Sequence, residues 1–304
     1  MSINTSADTT KQGSPYLALG FALLAVSSSA ILIRFAQRDA NSLVIAAYRL
    51  LFATLILAGP AILKSREEIS SLKKNQWLLI MLSGFFLAIH FGSWISSLAY
   101  TSIASSVVIV TSSPLWVAIF STILLKERIP HTVRWGMGVA MIGALLVGSA
   151  QLFLTNVNLF GMNSSLWGQF LALVGAIFVA GYLIIGRHLR GSITLLPYTF
   201  LVYGFAAIFL FGFVLLLGLP VSGYKPQIWG LFLLMAIFPQ LIGHSTYNWA
   251  LKYISAVVVS IVALGEPIGA TLLGFILLNE SPHIMEIIGG VIIILGIFIA
   301  SRKQ

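Results

Sequence analysis

The chain carries ten apolar segments that are long enough, or nearly long enough, to cross a lipid bilayer, separated by short polar connections. A helix needs about 20 predominantly apolar residues for this. Hydrophobic residues make up 59% of the sequence and charged residues 8%, against roughly 45–50% and 25% in soluble domains. The sequence therefore predicts an all-α polytopic membrane protein with ten transmembrane helices, called spans 1 to 10. In chain order they cover residues 16–35, 43–63, 76–98, 103–125, 133–150, 165–186, 195–218, 227–250, 255–278 and 284–301.

The basic residues predict how these spans are oriented. With the N-terminus placed in the cytoplasm, 13 of the 17 Lys and Arg residues fall in cytoplasmic segments, 3 in external segments and 1, Arg49, inside span 2. Loops rich in Lys and Arg stay on the cytoplasmic side. We therefore predict that both termini are cytoplasmic and that residues 1–14 form a disordered cytoplasmic tail. The net charge of +9 is explained by this placement and predicts no nucleic-acid partner.

The second half of the chain repeats the first at an offset of 153 residues. The segment Ser102–Glu127 aligns without a gap with Ser255–Glu280, and Arg34 aligns with Arg187. Each copy holds five spans, and an odd number forces the two copies to insert in opposite orientations. The predicted organisation is a first five-helix repeat over 15–150, a connection over 151–164 and a second five-helix repeat over 165–304. Inverted repeats are typical of secondary transporters, whose substrates bind near the bilayer midplane.

Each copy also has a mid-helix proline, a terminal LLKE or LLNE, and a following glycine-bearing span, WGMGVAMIGALLVG or IIGGVIIILGIFIA. In these features the chain, from about residue 16 to residue 300, resembles the EamA-type family of the drug/metabolite transporter superfamily. The resemblance implies ten helices in two inverted repeats, a central cavity, and the movement of small metabolites, often outward. It offers no compact signature of substrate-contacting residues. We expect a multi-pass protein of the cell membrane, in a bacterial inner membrane.

Glu266 is the one acidic residue placed deep in a predicted span, and Pro267 follows it directly. A charged side chain at that depth costs roughly 2.5–3.5 kcal/mol on insertion scales. One interpretation is a protonatable group that couples transport to protons. The other is a structural acid that satisfies a carbonyl group freed by the proline or pairs with a buried arginine. The first repeat has Ser113-Pro114 at the equivalent positions, so we predict that Pro114 and Pro267 are matched hinges.

Polar and aromatic side chains within the spans are the candidates for substrate binding. Arg49 in span 2 either binds a substrate carboxylate or phosphate through its planar fork, or snorkels or pairs within the bundle. Span 8 carries four polar residues whose helical spacing places them on one face, namely Gln240, His244, Tyr247 and Asn248. The alternatives are hydrogen bonds between helices, worth about 0.6 kcal/mol each on average, and aromatic belts at the membrane interface. The predicted substrate-binding residues are Tyr48, Arg49, His90, Trp94, Trp116, His244, Tyr247 and Asn248.

These residues predict a secondary transporter that alternates access to a midplane cavity lined by spans 2, 3, 4, 8 and 9. The family resemblance implies that its substrates are small amphipathic metabolites, such as amino-acid-like compounds or drugs, and that its direction is export. The alternative is an uncoupled facilitator or channel with the same cavity. An intramembrane lipid-modifying enzyme is a remote alternative, because one deep carboxylate and two separated histidines form no catalytic constellation.

No cofactor or metal is predicted, since the sequence lacks a Walker motif, cysteine and an acidic companion at ligand spacing from its histidines. The expected partners are therefore a small-molecule substrate and membrane lipid. Recurrent small residues let helices approach closely, which predicts packing either within the bundle or in a homodimer. The residues concerned, called the glycine seam, are Gly136, Gly143, Gly289 and Gly296.

Overall fold

The computed structural model describes residues 15–101, 103–154, 162–278 and 283–302, and every regular element within them is helical. The predicted tail and much of the predicted 151–164 connection lie outside the described residues. Nine described helical segments are long and apolar enough to cross a membrane, and the helix His131–Leu154 matches predicted span 5. The nine are Pro15–Ala36, Ser42–Lys64, Lys74–Tyr100, Ser106–Leu125, Leu166–Leu189, Leu195–Leu216, Pro226–Ala250, Ala256–Leu273 and Ile284–Ser301. The all-helical membrane fold is thereby confirmed, while the count of ten spans remains a prediction.

Spans 4 and 9 are each interrupted at equivalent points. Span 4 consists of Ile103–Val110 and Ser113–Phe120, followed by a π-helical turn Ser121–Leu125. Span 9 consists of Ala256–Ala263 and Glu266–Leu278. The second segments begin at Ser113 and Glu266, so each proline occupies the first turn of a new helix, where its missing N–H group costs nothing. The prolines thus mark two joints in the backbone, and their hinge role stays a prediction.

Span 8 has an irregular centre of its own. It runs through the helix Pro226–Met235, a π-helix Ala236–His244 that contains Pro239, and the helix Ser245–Ala250. Proline inside a helix removes a backbone hydrogen bond, and π-helical stretches often occur at functional sites. The wide turn carries Gln240 and His244 inward, where both side chains are buried.

Helix packing follows the 153-residue offset. Span 1 packs on span 8, and span 6 packs on span 3 in the equivalent way, while span 2 packs on span 7. Single contacts repeat as well. Arg34 Nη1 donates to the carbonyl oxygen of Leu98 at 2.7 Å, and Arg187 Nη1 donates to that of Leu251 at 2.7 Å. The two halves therefore pack on each other in an equivalent way and share this internal contact, and their inversion across the membrane stays a prediction.

The glycine seam joins spans 5 and 10 of the same chain. A Cβ atom added at Gly143 would lie 2.6 Å from the carbonyl oxygen of Gly289, and one at Gly136 would lie 2.5 Å from the backbone nitrogen of Ala300. Real Cβ atoms do not approach backbone atoms so closely. Of the two packing modes considered for these glycines, the seam serves packing within the bundle.

Candidate functional site

A cavity lies between the joints of spans 4 and 9. Its volume is about 50 Å³, which exceeds the roughly 10–15 Å³ that one water molecule needs. Spans 1, 3, 4, 6, 8 and 9 supply the walls, so spans 1 and 6 take part and span 2, which we expected to contribute, does not. The lining residues are Val26, His90, Trp94, Val110, Thr111, Ser113, Val179, Leu183, His244, Tyr247, Val259, Ser260, Ala263 and Glu266.

Eight of these residues form four pairs separated by 153 positions. The pairs are Val26 and Val179, Trp94 and Tyr247, Val110 and Ala263, and Ser113 and Glu266. The two halves thus contribute equivalent positions to one cavity. The sequence alone contains this 153-residue relation, because each position proposed for a site in one half has an equivalent position in the other half. Used in that way, it would have added Ser113, the equivalent of Glu266, to the predicted site.

Glu266 is the only residue with a formal charge among the lining residues. It lies in the first turn of the helix Glu266–Leu278, where the helix dipole favours a negative charge. Its backbone oxygen accepts a hydrogen bond from Ser27 Oγ at 3.0 Å. Within the described part of the chain, the carboxylate has neither a hydrogen bond nor an ion pair. It is therefore available to a proton or to a ligand.

Two imidazole rings face the carboxylate's cavity from spans 3 and 8. His90 Nδ1 lies 2.9 Å from the carbonyl oxygen of Gly175, so this nitrogen carries the proton in the neutral ring and Nε2 is an acceptor. The ring centroids of His90 and His244 are 6.4 Å apart. Among the described residues, no group of three histidine or acidic side chains is arranged to hold a metal ion.

Trp94 and Tyr247 occupy equivalent positions on spans 3 and 8. Trp94 Nε1 and Tyr247 Oη are both buried and have no hydrogen-bond partner among the described residues. Leaving a buried polar group without a partner costs about 1–3 kcal/mol. The ring of Trp94 also stacks on His90, with centroids 6.0 Å apart. These groups can bind a ligand that offers hydrogen-bond acceptors.

Arg49 is buried outside the cavity, at 0% exposure. Its Nε donates to Gln240 Oε1 at 2.8 Å and its Nη1 donates to Ser29 Oγ at 2.8 Å. The ring of Phe91 covers the guanidinium, 4.1 Å from Cζ. Ion pairs within the described residues are Arg187–Glu127 and Lys225–Asp39, so Arg49 and Glu266 do not pair directly. Arg49 fastens spans 1, 2 and 8 to one another.

The remaining predicted binding residues also lie away from the cavity. Tyr48 donates to the carbonyl oxygen of Val221 at 2.5 Å and stacks on Phe232. Asn248 Nδ2 donates to the carbonyl oxygen of His244 at 2.9 Å and contacts Tyr182 Oη. Trp116 is half-buried at the edge of the core. The cavity therefore brings together four of the eight predicted binding residues, His90, Trp94, His244 and Tyr247, with Glu266.

Thr111 and Ser260 were not predicted and also line the cavity. Each hydroxyl donates to a carbonyl oxygen three residues earlier in its own helix, at 3.0 Å to Val108 and at 2.7 Å to Val257. Such small hydroxyl residues in apolar spans usually form bonds of this local kind. Their sequence context therefore gave no signal of a site, and the interruption of span 4 beside Thr111 is what brings that side chain to the cavity.

Comparison with known proteins shows which family the chain is similar to. The model of the EamA-like transporter family matches residues 14–149 and again residues 166–302. A transporter of Archaeoglobus fulgidus is 24% identical over 95% of this chain and 98% of its own length. The pseudopaline exporter CntI of Pseudomonas aeruginosa is 24% identical over 88% of this chain and 90% of its own length.

A solved crystal structure of another protein shares the fold, with a TM-score of 0.76 and 16% identity. The match covers 94% of this chain and 96% of that chain. The two family matches leave only short segments of the sequence uncovered, and they coincide with the two halves that share the cavity. The chain belongs to the EamA-like transporter family.

Proposed function

We propose that this family member is a secondary transporter that exports small amphipathic compounds by alternating access. Its ten spans form two inverted five-helix repeats with both termini in the cytoplasm, in a bacterial inner membrane. The observation that carries the proposal is the unpaired carboxylate of Glu266 in a cavity lined by equivalent positions of the two halves. Export as the direction is supported by the exporter found among the relatives.

The cavity must widen before it holds a substrate. Its volume of about 50 Å³ compares with roughly 300–1,000 Å³ for pockets that bind small molecules. The joints of spans 4 and 9 lie in its walls, with Pro114 and Pro267 just beyond them. Bending at these joints changes the cavity without unfolding either helix, so we assign the hinge role to them.

The substrate carries a cationic nitrogen on an apolar body. Valine and leucine side chains with the ring of Trp94 supply the apolar walls, and Glu266 supplies the only formal charge. Arg49 would attract an anion, but it lies outside the cavity. Phe91 covers its guanidinium, which also donates a hydrogen bond to Gln240. A cation near an aromatic ring gains about 0.5–2 kcal/mol. Charge and walls together therefore favour amphipathic cations over anions of the same size.

Proton coupling follows if a proton and the substrate cation compete for one carboxylate. The titratable and charged groups around Glu266 are His90 on span 3, His244 and Tyr247 on span 8, and Arg49 on span 2. Only Glu266 among them is both open to the cavity and acidic. Binding of the cation would expel a proton, and return of the proton would release the cation on the other side.

The test uses purified protein in proteoliposomes and phenyltrimethylammonium, a permanent cation that cannot cross the bilayer as a neutral base. With an acidic lumen, we expect accumulation of the labelled cation, up to about tenfold per pH unit if one proton is exchanged per cation. Glu266→Gln should abolish the dependence on the pH gradient. Glu67→Gln removes an exposed carboxylate from the 66–70 helix and should leave uptake unchanged.

A different experimental result would contradict each part of the proposal, namely coupling, substrate class and the role of Glu266. Equilibration without accumulation would make the protein an uncoupled facilitator. Equal uptake of benzenesulfonate, an anion of similar size, would contradict the substrate class and leave transport standing. An unaltered response of Glu266→Gln to the pH gradient would remove Glu266 from the coupling.

A further inference from the structure

An ion pair ties three helices together at the end of the bundle predicted to be cytoplasmic. Arg187 Nε, at the end of span 6, lies 3.4 Å from Glu127 Oε1, just beyond span 4. The same guanidinium donates through Nη1 to the carbonyl oxygen of Leu251 at the end of span 8, at 2.7 Å. Glu127 Oε2 accepts a hydrogen bond from the buried Ser121 Oγ at 2.7 Å. One carboxylate and one guanidinium thus connect spans 4, 6 and 8.

The ion pair lies directly beyond the cavity along two of these helices. Leu183 and Tyr247 line the cavity, and Arg187 and Leu251 follow each of them by four residues. Four residues of helix advance about 6 Å. Any path from the cytoplasmic end to the cavity between spans 6 and 8 therefore passes the guanidinium. Its carbonyl contact joins spans 6 and 8, and Glu127 holds the same guanidinium from the end of span 4.

The backbone beside Glu127 is shaped to present its carboxylate. The π-helical turn Ser121–Leu125 ends at Lys126, the only non-glycine residue with positive φ in the described chain, at 54°. A left-handed conformation costs an L-residue roughly 1–2 kcal/mol. This left-handed residue turns the chain back toward the end of span 4. The backbone N–H group of Glu127 there donates to the carbonyl oxygen of Ser121 at 3.3 Å. Such local strain is typical of positions with a functional constraint.

The opposite end of the bundle carries the equivalent arginine, Arg34. Arg34 repeats the carbonyl contact of Arg187, with Leu98 in place of Leu251. Within the described residues, however, Arg34 forms no ion pair, and its side chain is exposed. The carbonyl contact is therefore common to both halves, whereas among the described residues only Arg187 of these two arginines forms an ion pair.

We propose that the Glu127–Arg187 ion pair is a latch that keeps the cavity closed toward the cytoplasm and separates when the protein opens to that side. The inference goes beyond the proposed substrate and coupling and rests only on alternating access. Both side chains are about one-third exposed, at 32% for Glu127 and 29% for Arg187, and partly exposed ion pairs are weak. A weak latch suits a transporter, because it shifts the balance of states without blocking either one.

The test measures how readily the cavity is reached from the cytoplasmic side. The sequence contains no cysteine, so Ser260→Cys places a single thiol in the cavity wall, at a position that is 1% exposed. Inside-out vesicles are treated with a membrane-impermeant maleimide, and the labelling rate is followed. Adding Glu127→Gln should raise the rate about twofold to fivefold, the range that corresponds to loss of an exposed ion pair.

A second variant and a matched control separate the latch from general loosening. Arg187→Gln should raise the rate to a similar extent, and the double variant should be no faster than either single one, because all three lack the same contact. Asp39→Asn removes the other ion pair, with Lys225, and should leave the rate unchanged. Unchanged rates in both single variants, or additive rates in the double variant, would overturn the latch. Labelling needs no substrate, so a failure of the transport assay leaves this result intact.

Discussion

The two halves of the chain build one cavity with a shared backbone and different charges. Spans 4 and 9 break at equivalent points, and Trp94 and Tyr247 occupy equivalent places in the wall. The charged residues deep within the spans do not repeat. Glu266 corresponds to Ser113, and Arg49 corresponds to Val202, a buried apolar residue in span 7. Packing can be duplicated at little cost, but a second deep carboxylate would face the first across a small cavity. The asymmetry concentrates the charge chemistry in one half.

The strongest test of the shared backbone is the glycine seam. Gly143 and Gly296 are equivalent positions, and an added Cβ at either would meet backbone atoms, at 2.6 Å for Gly143 and 2.4 Å for Gly296. Backbone atoms cannot move aside as a flexible side chain can. We expect Gly143→Ala and Gly296→Ala each to lower the free energy of unfolding by about 2–3 kcal/mol, the upper part of the range for overpacking. Reversible unfolding of the purified protein in mixed micelles measures both values.

Gly138 provides the control for this pair. It lies in the same helix as Gly143, and a Cβ added there would find no heavy atom within 4 Å. Gly138→Ala should not destabilise the protein, since alanine favours a helix by up to about 1 kcal/mol over glycine. A large loss of unfolding free energy in Gly143→Ala with none in Gly296→Ala would show that spans 5 and 10 are not equivalent in their packing.

The sequence predicted the packing better than the direction of individual side chains. Apolar length and the 153-residue offset located the spans, the interrupted helices and the glycine seam, because these depend on periodicity and on small residues. For Arg49, position within span 2 predicts a depth in the membrane but not the direction of the side chain. Its contacts with Ser29 and Gln240 come from spans 1 and 8, and the covering ring of Phe91 comes from span 3. Contacts among four separate helices leave no local pattern to read.

The helical face predicted on span 8 shows a related limit. Gln240, His244, Tyr247 and Asn248 were placed on one face by their spacing. The π-helix Ala236–His244 changes the rotation per residue, and only His244 and Tyr247 line the cavity. Gln240 binds Arg49, and Asn248 contacts Tyr182. Regular periodicity fails at the irregular turn, which is the part of the helix where the site lies.

Arg49 gives the second test, because it belongs to one half only. Arg49→Met should lower the free energy of unfolding by about 1 kcal/mol, since two hydrogen bonds between helices are lost at roughly 0.6 kcal/mol each. The preference for phenyltrimethylammonium over benzenesulfonate should not change, because the side chain lies outside the cavity. Unfolding and the uptake of both ions are measured on the same preparation.

Arg49→Lys distinguishes charge from hydrogen bonding at this position. Lysine keeps the positive charge but cannot reproduce the planar fork that reaches Gln240 and Ser29 together. It should therefore lose stability much as methionine does, again with unchanged selectivity. A shift of selectivity toward the cation in Arg49→Met, and not in Arg49→Lys, would return Arg49 to the binding site as an electrostatic determinant.

The smallest expected effect concerns Trp94 and Tyr247, the equivalent pair with unpartnered polar groups. Tyr247→Phe removes a buried hydroxyl that has no partner among the described residues, so the empty protein should gain up to about 1 kcal/mol of unfolding free energy. Trp94→Phe should gain less, because its smaller ring leaves a void. Tyr203→Phe is the control, since Tyr203 Oη lies 3.1 Å from Ser245 Oγ and its loss should destabilise. If the Tyr247 hydroxyl lowers stability, its role is to bind the ligand. The stabilised Tyr247→Phe protein should therefore bind substrates that carry hydrogen-bond acceptors more weakly. A loss of stability with unchanged binding would show that Tyr247 is structural.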